Sequence, residues 1–139
     1  MLRADAQFSR DPLLPLEKFS VGGAVSVRGY RENQYVRDNG VAISAEYRYP
    51  ILRVALPGLT RSDTEGWVEL APFFDSGASR NHGDQSVRIS SIGLGLRWEP
   101  MRGALAQVYF ASASPGINSS GARNLQDKGV HFLISFLRL

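Results

Sequence analysis

Few residues in this chain have the chemistry of a reactive centre. There is no Cys among the 139 residues, which removes disulfides, thiol nucleophiles and Cys-ligated zinc or iron–sulfur sites. The two histidines, His82 and His131, stand far apart and show no metal-ligand spacing. There is no Gly-x-Ser-x-Gly elbow, no His-Glu-x-x-His and no phosphate loop. His82, Asp84 and one of many serines could be written down as a triad, but no spacing brings them together. These residues point away from an enzyme and from any cofactor or metal. What remains is ionic: Arg3, Asp5, Glu46, Arg48, Glu69, Asp75 and Arg97 each occupy alternate positions in otherwise apolar stretches. Charges placed in this way can form ion pairs and hold water, provided that some element turns them all to one side.

That element is the β-strand, because the apolar residues recur with period two. Val41, Ile43, Ala45, Tyr47 and Tyr49 share one face, and Ala42, Ser44, Glu46 and Arg48 share the other. Leu2, Ala4, Ala6 and Phe8 alternate with Arg3, Asp5, Gln7 and Ser9. Val68, Leu70, Pro72 and Phe74 alternate with Glu69, Ala71, Phe73 and Asp75. The pattern continues through Ile92, Leu94, Leu96 and Trp98, through Ala104, Ala106, Val108 and Phe110, and through Val130, Phe132, Ile134 and Phe136. Six strands are predicted. Gly93 and Gly95 fall inside one of them without the Gly-Lys spacing of a nucleotide loop, and they are expected to leave room for a loop folded inside the lumen.

Glu99–Gly103 reads as a tight turn, and Asn39-Gly40 as a turn signal. By contrast, 10–40, 76–87 and 112–128 read as long polar loops, while 50–66 is shortened if its strand extends to about Leu56. Strands of this length, joined by short turns at one end and long loops at the other, form the pattern of an outer-membrane β-barrel. A soluble β-sandwich binding module alternates too. Against it stand Trp67, Trp98 and several Tyr near strand ends, and a second face that is unusually charged for strand centres. A wet lumen explains both features.

Composition agrees with one ordinary domain. Hydrophobic residues make up 43% and charged residues 21%, too apolar for a disordered tail and too polar for a helical membrane protein. The net charge of +3 comes from 16 basic and 13 acidic residues, and fourteen of the basic ones are Arg scattered along the chain. No basic cluster marks a nucleic-acid partner. No targeting segment is visible at Met1. The uncharged run 103–122 contains Gln107 and Pro115 and lacks the apolar continuity of a spanning helix.

The stretch Leu14-Pro15-Leu16-Glu17-Lys18-Phe19-Ser20-Val21-Gly22-Gly23, followed by Val27-Arg28-Gly29-Tyr30-Arg31-Glu32, resembles the large extracellular loop of two-partner-secretion (type Vb) transporters, the haemolysin secretion/activation protein family. Ala45–Pro50 resembles the strand after that loop, Phe73-Phe74-Asp75-Ser76-Gly77 the next, and Ser91–Trp98 the one after. Gly129, Phe132, Ile134 and Phe136 resemble the C-terminal signal read by the barrel-assembly machinery, although the chain departs from it by ending Leu137-Arg138-Leu139. Asn118-Ser119-Ser120 matches a glycosylation sequon, which carries no weight in a bacterial barrel.

The resemblance implies the C-terminal part of a transmembrane antiparallel β-barrel, spanning 1–139, in the bacterial outer membrane. It has about six strands, is incomplete, and carries a long lumen-folding loop at about 10–40. The partners implied are a secreted haemolysin- or adhesin-like exoprotein, outer-membrane lipid and the barrel-assembly machinery, with no ATP or metal. An insertase-type barrel is the alternative within the superfamily. By the same resemblance Val27, Arg28, Gly29 and Tyr30 form a tip that folds into the lumen, with Glu46 and Asp75 as wall partners of Arg28. Guanidinium offers five donors in a rigid fork and can bridge two carboxylates. Gly29 permits the tight turn and Tyr30 packs the tip against the wall. In a wet lumen, losing one partner is expected to cost about 1–2 kcal/mol. Six strands do not close a membrane barrel, and the periplasmic polypeptide-transport-associated domains of the family are expected to be missing. The chain alone is therefore expected to secrete nothing.

Overall fold

The computed structural model describes residues 1–114 and 129–136. The period-two stretches are strands: β1 (Leu2–Gln7), β2 (Phe19–Val21), β3 (Tyr35–Arg37), β4 (Asn39–Glu46), β5 (Tyr49–Arg53), β6 (Trp67–Arg80), β7 (Val87–Met101), β8 (Ala104–Ser114) and β9 (Val130–Phe136). Among the described residues no helix is long and apolar enough to cross a membrane. One antiparallel sheet runs in the order β1-β4-β6-β7-β8-β9, and β5 also pairs with β6. The sheet is not closed, and β1 and β9 are its edges.

β4 and β5 are two halves of one strand. β4 pairs with β6 from Asn39↔Arg80 to Glu46↔Phe73, and β5 continues from Tyr49↔Leu70 to Arg53↔Trp67. The break at Tyr47-Arg48 is followed by an irregularity at Pro50, which has no N–H to give a ladder. Counted this way the sheet has six strand positions, as the alternation predicts.

Several boundaries differ from the sequence reading. Asn39 and Gly40 are strand residues of β4, not a turn, because Gly40 is opened by the Phe19 ring packed where a side chain would be. The 76–87 loop shrinks to 81–86, since small residues Gly77, Ala78 and Ser79 let β6 run on to Arg80. The 50–66 segment extends as strand only to Arg53. The turn after β7 is just Arg102-Gly103, with Gly103 at φ 82°. Most of the predicted 112–128 loop lies outside the described residues.

The register sorts the two faces cleanly. On one, Leu70, Leu96, Val108 and Phe132 line up across four strands, as do Pro72, Leu94, Phe110 and Val130 in the next row. This face is bare: Ile92 is 65% exposed and Phe132 70%. A sandwich would bury it under a second sheet. Here the two-stranded β2–β3 sheet lies over the opposite, polar face, where Val21, Val27 and Tyr30 pack on Ile89. Among the described residues the folded loop thus covers the charged side and leaves the apolar side open, which is the inside-out arrangement of a barrel wall. At one end Trp67 donates its indole N–H to Asp63 O at 3.1 Å, and Trp98 to Val54 O at 3.2 Å.

Candidate functional site

The polar face carries a compact cluster around Arg28. Its Nε and Nη2 donate to the two oxygens of Asp75, each at 2.8 Å, and Nη1 donates to Glu46 at 2.5 Å. Nη2 also reaches Ser44 Oγ at 3.1 Å. The Arg28 backbone N–H adds a 3.0 Å bond to Asp75. Ser44 Oγ–H completes the Asp75 shell at 2.6 Å, and Arg48 Nε holds the other Glu46 oxygen at 2.8 Å. Two cations and two anions balance, and each Asp75 oxygen accepts two bonds.

The strand register makes this possible. Ser44 faces Asp75 directly and Glu46 faces Phe73, so β4 and β6 present their acids side by side. The guanidinium lies 3.6 Å above the Phe73 ring and 4.7 Å from that of Tyr109. The space for those rings comes from Gly93 and Gly95, which face Phe73 and Tyr109 across the ladders. The two glycines therefore make room for the aromatic floor under Arg28, not for the loop itself as their sequence position suggests. The loop is admitted by Gly40, under Phe19, and by Gly77, where an added Cβ would stand 2.6 Å from Val21 and 3.0 Å from Val27.

The site is dry. The Arg28 side chain is 7% exposed, Glu46 2% and Asp75 0%. Removing one partner of a pair this buried costs about 3–5 kcal/mol.

The rest of the tip is held by backbone. Gly29, at φ 91°, turns the chain so that its N–H points to His131 Nε2 at 2.8 Å. Tyr30 is buried beside Val27 and donates its hydroxyl to Ser90 O at 3.3 Å. Through residues 28–30 the loop grips β4, β6, β7 and β9. At the base of the loop, buried Asp38 accepts from the Leu13 N–H at 3.0 Å, the His82 N–H at 3.1 Å and Lys18 Nζ at 3.1 Å. The Leu13 bond, followed by the His82 and Lys18 contacts, outweighs desolvation and holds this carboxyl down at about 2.

Other charged residues stay apart from the cluster. Arg3 pairs with Asp5 at an exposed site, and Arg97 bonds Glu69 at 2.9 Å and Glu99 at 3.1 Å further along the wall. His82 lies at the loop base with its ring against Arg10 O, while Asp84 takes Arg37 and Asn81, so the paper triad does not assemble. Gly129 leads into β9, and Phe132 and Ile134 stand on the apolar face. Phe136 pairs with Ala104. Ser44, Phe73, Tyr109, His131 and Asp38 join the machinery without having been singled out. Phe73 and Tyr109 carried a readable signal: each is an aromatic residue on a polar face, opposite a strand glycine.

Residues 1–98 match the haemolysin secretion/activation protein family, ShlB/FhaC/HecB. The chain belongs to this family. The match takes in the loop, β4, β6 and β7 as far as Trp98, and the sheet continues beyond it through β8 and β9. No curated protein and no solved structure matches the chain. The family consists of outer-membrane transporters for secretion and activation of a partner protein. A hollow of about 880 Å³ lies on the bare apolar face among Phe74, Ile92, Leu94 and Phe110.

Proposed function

We propose that the chain forms the C-terminal barrel region of a two-partner-secretion transporter, in which the 10–40 loop is a lumen plug released for passage of an unfolded haemolysin- or adhesin-like exoprotein. The observation that carries this reading is Arg28, held by Glu46 of β4 and Asp75 of β6 and buried with them. A loop fixed through one buried guanidinium has two discrete states, docked and free, because a half-broken network leaves a buried charge unpaired. No bond is made or broken. The work of release falls to whatever enters the lumen and competes for the wall.

Closing the wall requires pairing of the β1 and β9 edges, since open ladders are costly in hydrocarbon. Further strands of the whole barrel supply it in this reading. Gly129, Phe132, Ile134 and Phe136 would then present the terminal strand to the barrel-assembly machinery, and the outer face would meet outer-membrane lipid.

The test is Arg28→Ala in the whole transporter. Secretion of the partner protein should fall while the amount of inserted, heat-modifiable barrel stays unchanged. Secretion at the wild-type level would remove the switch role.

A further inference from the structure

We infer that His131 is a positioning residue for the loop, a latch on β9 that holds the tip only while its imidazole is neutral. The inference rests on the docked-loop reading above, and it goes beyond the ion pairs on β4 and β6. The Gly29 N–H can only donate, so the His131 Nε2 lying 2.8 Å away must be the acceptor and must carry no proton. The contact is buried, with His131 5% exposed, so water cannot readily replace it. It also stands on the opposite side of the tip from Asp75 and lies outside the residues that match the family. Consecutive backbone N–H groups, of Arg28 and Gly29, are thus captured by strands three positions apart in the sheet.

Protonation would undo the latch twice. It places a hydrogen on Nε2 where the Gly29 N–H already points, and it adds a positive charge beside Arg28. The other charged or titratable groups facing His131 are Glu32 and Arg28 from the loop, Asp75 from β6 and Tyr109, its direct partner on β8. Among these groups the imidazole is the one whose charge ordinarily changes between about pH 5.5 and 7.5. The sign is fixed: docking is favoured above the imidazole pKa and weakened below it.

The chain has no Cys, so nitroxide labels can be placed by Val25→Cys at the exposed tip and Ser62→Cys in the turn before β6, in an otherwise Cys-free whole transporter in lipid. Distance distributions report docked and free populations. Wild type should lose about tenfold in its docked-to-free ratio between pH 7.5 and 5.5. His131→Leu should show that loss already at pH 7.5, with a flat pH profile. His131→Gln, whose carbonyl can accept from Gly29, should restore docking at pH 7.5 and remain flat. A wild-type pH response in either variant, or a flat wild-type profile, overturns the latch. Arg28→Ala separates the two ideas. If it undocks the loop while His131→Leu and pH do nothing, only the latch fails; if it too leaves the loop in place, the plug reading fails.

Discussion

Arg28 illustrates why a single guanidinium can command a loop. It meets five side chains: two acids, one hydroxyl and two aromatic faces. Lysine could match the charge but neither the two-pronged grip on Asp75 nor the stacking. Arg28→Lys should therefore undock the loop nearly as well as Arg28→Ala, with a loss of about 1.5–3 kcal/mol per charge-assisted bond forfeited. Labelled-loop distances in the two variants would check this, and a lysine variant docked like wild type would contradict it. Asp38 makes a different prediction. Its carboxyl is depressed from 3.8 to about 2, so the order it gives the loop base is present above pH 4 and is lost as pH falls towards 2. Asp38→Asn should abolish that acid transition in hydrogen exchange of the Leu13 and His82 amides.

At the scale of elements, small residues decide where the loop fits. Gly77 sits in β6 against Val21 and Val27, both fully buried, so even Gly77→Ala should overpack the contact by about 1–3 kcal/mol. Secretion and docking should change while the barrel still inserts, because the outer face of β6 is untouched. The strands themselves were legible in the alternation, since a half-buried strand must repeat every two residues whatever it packs against. The broken strand β4–β5 was less so, because the break at Tyr47-Arg48 leaves the alternation intact and shows only in the ladder. The site was legible in part. Glu46 and Asp75 stood out as acids on a strand face. Their burial was not visible, because it comes from the tip around Arg28 folding back over them, a long-range event that no local pattern encodes. His131 was hidden for a similar reason, its partner Gly29 being 102 residues away.

For the whole molecule, the decisive property is an apolar face that the described residues leave uncovered. Ile92, at the middle of β7, should tolerate large apolar replacements but not charge. Ile92→Arg should cost about 2–4 kcal/mol of stability in a bilayer and much less for a polar-face position such as Gln107. Unfolding from lipid vesicles in denaturant would measure the difference, and equal costs on both faces would count against the wall assignment.

The Trp98 indole has one further consequence. Trp98 stands on the apolar face beside Val68 and Leu96 and ties its N–H to Val54 O, so its ring is fixed at one level of the wall, whereas Trp67 makes its bond to Asp63 O on the polar face near Glu69. Strand β6 rises 14 residues from that level, about 45 Å along its length at ~3.4 Å per residue. Tilted by about 40°, it stands roughly 35 Å tall, against an apolar band of about 25 Å. With its foot anchored, the surplus emerges at the Arg80 end. A thicker bilayer would be absorbed there, wetting fewer residues near the mouth while the waterline at Trp98 stays put.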